Sequence, residues 1–299
     1  MKKFCSLVLG LSFALGFAGI AAAQENAATG APSSMPVPKV LAITREFVKP
    51  GRNGSTHDRS EAAFVQAMRN AKWPTHYLAM DSLSGKSRSL YLTGYDSFDA
   101  WEKDVRAQQK NTTLSSALEH AATADGALLD NIDQSVWVLR EDQSYKPGVN
   151  LGEIRYFEFE VFRIKAGHEA DWGEAVKMVK EAYAKVPDVH WDMFQLMYGS
   201  TPSFVVITPR KSASEIDHAF AQDKQFMEAM GAEGMKKLSE LSNASIESSE
   251  RNLFSINPRA SYVTDEVANS APDFWRPKSA MNSDGKPKAA KAEAKPATP

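Results

Sequence analysis

The sequence predicts an α+β chain built of two tandem β-α-β-β-α-β units. The first observation is that it repeats itself. Residues 76–103 lie over 190–217 without a gap. His76-Tyr77 falls on His190-Trp191, Gly85 on Gly199, Ser89 on Ser203, and Leu90-Tyr91-Leu92 on Phe204-Val205-Val206. The second is that the flanks match as well. Phe47-Val48-Lys49-Pro50-Gly51 aligns with Arg163-Ile164-Lys165-Ala166-Gly167, His57-Asp58 with His168-Glu169, and Ser144-Tyr145 with Ser261-Tyr262. The third is that hydrophobic periodicity switches between 2 and 3.6 in the same order in both halves. A period of roughly 115 residues is that of a whole domain, not of a solenoid repeat.

The second unit, 147–264, shows the elements most clearly. Ile154 to Ile164 alternates and is rich in aromatic and β-branched residues, which suits a strand. Lys165-Ala166-Gly167 turns the chain into a helix from His168 to Lys185, where Trp172, Ala175, Val176 and Val179 keep helical spacing. Pro187-Asp188 ends it, and strands 190–198 and 203–209 form a hairpin around Gly199-Ser200-Thr201-Pro202. Ser212 or Ser214 can cap the next helix, which carries Ile216, Phe220, Phe226, Met227 and Met230 and is loosened by Gly231 and Gly234. The last strand is 248–257. The first unit, 39–146, repeats the order with strand 39–48, helix 58–71, strands 75–83 and 87–95, helical 97–129 and strand 134–141.

A β-α-β-β-α-β unit is ferredoxin-like, with both helices on one face of an antiparallel sheet. The other face needs a cover, and a tandem copy supplies one if the two sheets close face to face. With its strand-Lys-Pro/Ala-Gly-helix segments at Phe47–Gly51 and Val161–Glu169, the chain resembles the dimeric α/β-barrel superfamily over nearly all of 39–262. That superfamily includes NIPSNAP-like and antibiotic-biosynthesis-monooxygenase-like domains. The resemblance implies a pseudo-dimeric α/β barrel within one chain, and hence a monomer. It brings no catalytic motif with it.

Outside the units, residues 1–23 read as a signal peptide. Lys2-Lys3 precede an apolar run from Phe4 to Ile20, and Ala21-Ala22-Ala23 offers a cleavage site. This predicts an exported, periplasmic or extracellular protein with no transmembrane segment after cleavage. Residues 24–38 read as a disordered linker and 265–299 as a disordered tail rich in Ala, Lys and Pro. Cys5 is the only cysteine, so the mature chain would hold no disulfide, thiolate nucleophile or Cys-bound metal. Without Lys2 and Lys3 the 35 basic residues become 33 against 37 acidic ones, a balance that argues against nucleic acid as a partner.

Strand alternation supplies the candidate site. In 156–162, Phe157, Phe159 and Val161 form one apolar face, expected under the helices. Tyr156, Glu158, Glu160 and Phe162 form the other, expected to line the barrel, where two carboxylates could do acid–base work. Glu46 is the one charged residue at the matching positions of the first unit. His190 and Trp191, with Tyr77 as the repeat partner of Trp191, complete the candidate ligand-binding set. Joining His190 and Asp192 to Glu158 and Glu160 would make a nitrogen–oxygen metal set. However, the first and second strands are separated by the third, about 10 Å at roughly 4.8 Å per strand, so no metal site is assigned. His57 and His168 open helices and are expected neutral and exposed. No phosphate loop, Ser-His-Asp order or His-Glu-x-x-His motif is present.

The leading expectation is a module that binds a small, flat, apolar or aromatic molecule. Two alternatives stay open: a cofactor-free monooxygenase-like or haem-handling enzyme, and a structural or interaction protein. The cofactor is left unassigned.

Overall fold

The computed structural model describes residues 37–52, 54–148, 150–198 and 202–277. The expected signal peptide, residues 24–36 of the linker and residues 278–299 of the tail lie outside them. The first unit runs β1 (Val40–Val48), α1 (Ser55–Ala71), β2 (Tyr77–Ser82), β3 (Ser89–Tyr95), α2 (Phe98–Lys110), α3 (Thr112–Gly126) and β4 (Leu129–Leu139). The second runs β5 (Tyr156–Ile164), α4 (Glu169–Tyr183), β6 (Asp192–Leu196), β7 (Ser203–Arg210), α5 (Ser214–Ser245) and β8 (Ile246–Ile256). Two short helices follow, α6 (Asp265–Ser270) and α7 (Pro272–Trp275). No helix among the described residues is long and apolar enough to cross a membrane.

The strand order is β1-β3-β2-β8-β5-β7-β6-β4, closed into a barrel. Each half contributes a ferredoxin-like sheet, β4-β1-β3-β2 and β6-β7-β5-β8. As the sequence suggested, the two halves close on each other and their uncovered sheet faces enclose a common interior. They join edge to edge, Met80 pairing with Ile256 on one side and Trp137 with Leu196 on the other, so every strand edge is satisfied. This is the dimeric α/β-barrel fold made within one chain.

The matched Ser-Tyr dipeptides now have a cause. After each unit's last strand the chain crosses to the other unit, pairing Tyr145 with Trp191 and Tyr262 with Tyr77. Ser144 Oγ accepts from Met193 N and Ser261 Oγ from Ala79 N, both at 2.9 Å. Each serine also donates to the carbonyl four residues back, Arg140 O at 2.8 Å and Asn257 O at 2.7 Å. The two units thus clasp each other through reciprocal arms.

Register corrects the ungapped alignment by one residue. Glu46 pairs with Ser89 and Thr44 with Tyr91, whereas Phe162 pairs with Phe204 and Glu160 with Val206. Ser89 therefore matches Phe204, and Tyr91 matches Val206, because the second hairpin is one residue longer. A slip of one residue moves a side chain to the opposite face of the sheet.

The barrel interior is an apolar core drawn from all eight strands, including Leu41, Ile43, Met80, Trp137, Phe157, Phe159, Phe194, Val205 and Phe254. Phe159 and Phe254 meet edge to face at 5.3 Å. Burial of each such side chain contributes about 1.5–3 kcal/mol relative to leaving it exposed. The stretch from 265, expected as disordered tail, instead seals one barrel end as far as residue 277. Val267, Ala268 and Trp275 belong to this core, and Trp275 Nε1 donates to Gly152 O at 3.3 Å. Thr264 caps α6 through Val267 N, so the chain is punctuated there by a helix start.

Candidate functional site

The interior core reverses the expected faces of β5. Phe157 and Phe159 point into the barrel, and Glu158, Glu160 and Phe162 point outward beneath α4 and α5. In a closed eight-stranded barrel the inner face must be filled by side chains, so the more apolar face goes inside. Space for a ligand is left between the sheet and the helix pair.

In the second unit that space is a cavity of about 120 Å³. Phe162, Trp172, Tyr183, Trp191, Val206 and Phe226 contribute to its apolar wall, and Glu158, Glu160, His190, Arg210 and Arg251 line it as well. Trp172 lies between Phe162 and Phe204, with ring centroids at 4.9 and 5.3 Å, and Tyr183 stacks on Phe226 at 4.6 Å. The first unit's arm closes one side, because Trp172 Nε1 donates to Gln143 Oε1 at 3.3 Å and Trp191 Nε1 to Gln143 O at 3.0 Å. α5 covers the cavity despite a break at Gly231, whose φ of 69° is open to glycine.

The two carboxylates have unlike surroundings. Glu158 is held by two guanidinium groups, Arg210 Nε at 2.7 Å and Arg251 Nη2 at 2.8 Å. Glu160 is pushed above the ordinary carboxylate range by burial, which outweighs the pull of Arg251, and the Glu158 charge adds to the rise. His190 is lowered by burial and by Arg210, which favours neutral imidazole. One carboxylate is thus locked in ion pairs beside another biased toward its protonated form, an arrangement able to separate acid and base roles.

Of the eight residues read from the sequence, Glu158, Glu160, Phe162, His190 and Trp191 converge on this cavity. Tyr156 shares their face at the start of β5, outside the cavity wall. Asp192 does not join His190. It pairs with the interior position Ile207 and accepts from Gly148 N at 3.3 Å. Arg210, Arg251, Trp172 and Tyr183 were not singled out. Alternation within one strand cannot reach groups brought by neighbouring strands and helices, although the 3.6-residue period of α4 does place Trp172 on its buried face.

Glu46 and Tyr77 lie in the equivalent space of the first unit, between β1–β3 and helices α1 and α3. His57, expected exposed, is 3% exposed there. Its Nε2 lies 3.3 Å from Glu46 Oε2, 3.5 Å from Asp125 Oδ1 and 3.7 Å from Glu61 Oε1. One ligand atom from each of Glu46, His57, Glu61 and Asp125 falls within 4.8 Å of the others, and all four residues are buried. Burial and the charges of Glu46 and Asp125 raise Glu61 to about 9. Burial would lower His57, but its hydrogen bond to Glu46 and the charge of Asp125 hold it above its ordinary value. A sequence signal for this cluster existed: His57 and Glu61 are four residues apart on one helix face, at positions where an amphipathic helix carries apolar side chains.

No protein-family model and no curated protein matches the chain. Among solved structures it is similar to a protein of Fusobacterium nucleatum provisionally described as a monooxygenase, with TM-score 0.46 and 11% identity over 74% of this chain and 94% of that one. It is also similar to an anthrone oxidase-like protein, with TM-score 0.45 and 12% identity over 73% and 92%. A third is the chlorite dismutase of Candidatus Nitrospira defluvii in complex with imidazole, with TM-score 0.41 and 11% identity over 78% and 94%. Likenesses this distant leave the site to be read from its own residues.

Proposed function

We propose that the second unit binds a small, flat, largely apolar molecule about the size of one aromatic ring, with an oxygen substituent directed at Glu160. The observation that carries this reading is the aromatic-walled cavity of about 120 Å³ that Glu158, Glu160, His190, Arg210 and Arg251 also line. A dry cavity of about 150 Å³ is enough to hold benzene. A carboxyl biased toward protonation can donate a hydrogen bond to such a substituent, and neutral His190 can accept one.

Haem does not fit this space, which falls well short of the roughly 300–1,000 Å³ taken by drug-sized ligands. One observation favours a second reading, an enzyme that acts on the bound molecule by proton transfer. Glu160 and Glu158 differ in environment as paired acid–base carboxylates do. Export is proposed alongside, on the Lys2-Lys3 start, the apolar run and Ala21-Ala22-Ala23. Amino-terminal sequencing of the mature chain tests it, and a start at Met1 would count against it.

The test of binding is a phenol titration followed by tryptophan fluorescence, since Trp172 and Trp191 both line the cavity. The wild type should show saturable quenching. Val206→Phe, which fills the cavity from the sheet side, should abolish it. Equal, non-saturating quenching in both proteins would reject the pocket as a ligand site. Glu160→Gln separates the two readings, because an enzyme would keep binding and lose turnover.

A further inference from the structure

The first unit's compartment is the same architectural space with opposite chemistry. Set by strand register, Glu46 stands where the second unit has Phe162 and Tyr91 where it has Val206. With His57 on His168, Glu61 falls on Trp172, and the β4–β8 correspondence sets Asp125 on Ser242. Three positions that line the pocket in one unit therefore carry carboxylates in the other.

We propose that Glu46, His57, Glu61 and Asp125 bind one divalent transition-metal ion between the first unit's sheet and helices α1 and α3. The distances support it. Around an ion with bonds of about 2.0–2.2 Å, a tetrahedral ligand set has edges of about 3.3–3.6 Å. The distances of 3.3 and 3.5 Å from His57 Nε2 to Glu46 and Asp125 fall within those edges, and the 3.7 Å to Glu61 lies just beyond them.

Orphaned polar atoms are the independent observation. Glu61 and Asp125 are 3% and 1% exposed, yet Glu61 Oε1, Asp125 Oδ1 and the buried Tyr77 hydroxyl lack well-formed hydrogen bonds, and for hydrogen bonding Glu61 is approached among the described residues only by Tyr91 and by Asp125, itself an acid. The ion pairs of the three carboxylates among the described residues are with His57 alone. Buried carboxylates are tolerated when paired, protonated or bound to a metal, and with one imidazole among three carboxyls either a proton on Glu61 or a metal ion must make up the balance. A cation at their centre supplies the missing charge and the missing partners at once. One imidazole nitrogen with three carboxylate oxygens suits Zn²⁺, Mn²⁺ or Fe²⁺ and disfavours soft Cu⁺.

The test is metal content by mass spectrometry on the purified full chain, stripped by chelation and then offered Zn²⁺, Mn²⁺ or anaerobic Fe²⁺ before desalting. The expected result is about one ion per chain with a raised Tm, and a loss of at least tenfold in occupancy for Glu61→Gln and Asp125→Asn. Phe162→Leu, in the other compartment, should keep the ion. Wild type that takes up none of the three ions would overturn the proposal, as would undiminished uptake by both variants. If a variant fails to fold, Co²⁺ bound to the wild type decides the matter: a strong visible band of four-coordinate cobalt supports the site, and the weak band of six-coordinate cobalt refutes it.

Discussion

Replacing Glu158 and, separately, Glu160 by glutamine should split two carboxylates that sit two residues apart on one strand. Glu158 accepts from Arg210 Nε at 2.7 Å and Arg251 Nη2 at 2.8 Å, with side chains 11%, 9% and 33% exposed. Breaking a buried ion pair by removing one partner costs about 3–5 kcal/mol. In Glu158→Gln the new amide would keep one acceptor oxygen, and water can reach part of Arg251, so a loss of about 2–3 kcal/mol at pH 7 is expected. Glu160 has the opposite balance, because burial raises its carboxyl above 4.5. The folded state then holds that proton more tightly than the unfolded chain does. Its contribution to stability is fully present below pH 4.5 and is lost as pH rises toward the folded value. Glu160→Gln should therefore be near neutral at pH 4 and equal or more stable than wild type at pH 7. Urea unfolding at both pH values measures this, with a shift in midpoint at constant slope. Equal losses for the two variants, or a larger loss for Glu160→Gln, would refute the assignment.

Three further outcomes follow from the architecture. Ser261→Ala and Ser144→Ala each leave a buried cross-unit N–H without its acceptor and should cost about 1–3 kcal/mol apiece in urea unfolding; an effect from one and none from the other would contradict the reciprocal clasp. Asp192 is pushed up to about 6 by burial against the donation from Gly148 N, so it makes wild type lose up to about 3 kcal/mol as pH rises from about 4 to about 6, and Asp192→Asn should flatten that profile. Trp275→Ala should cost about 3–5 kcal/mol, because its ring is 2% exposed within the barrel core; a loss under 1 kcal/mol would show α7 to be dispensable.

The fold was legible because two copies of one pattern cannot agree by chance over so many strands, and Gly51 and Gly167, both at positive φ, punctuate them alike. The faces were not legible. Both faces of β5 carry large side chains, and Phe157, Phe159 and Val161 would suit a helix-covered surface as well as a barrel interior. What decides is closure through β2–β8 and β4–β6, a long-range fact that no single strand contains. Five of the eight candidates still came together, and Glu158, Glu160 and Phe162 did so because they share one face of β5 whichever way it points. His57 was misjudged for a related reason. A helix-opening histidine is ordinarily solvated, but α1 turns this one toward Glu46 on the preceding strand and toward Asp125, which lies far along the chain. The polar stretch after 264 hid Val267 and Trp275, two apolar anchors too sparse to show periodicity.

A crystal structure of the full chain soaked with phenol tests the central claim most directly. It should place one phenol ring between Trp172, Trp191 and Phe226, with its hydroxyl toward Glu160, and leave the barrel interior filled by Phe157, Phe159 and Phe254. Phenol seated inside the barrel, or an α4–α5 compartment closed to it at saturating concentration, would contradict the account.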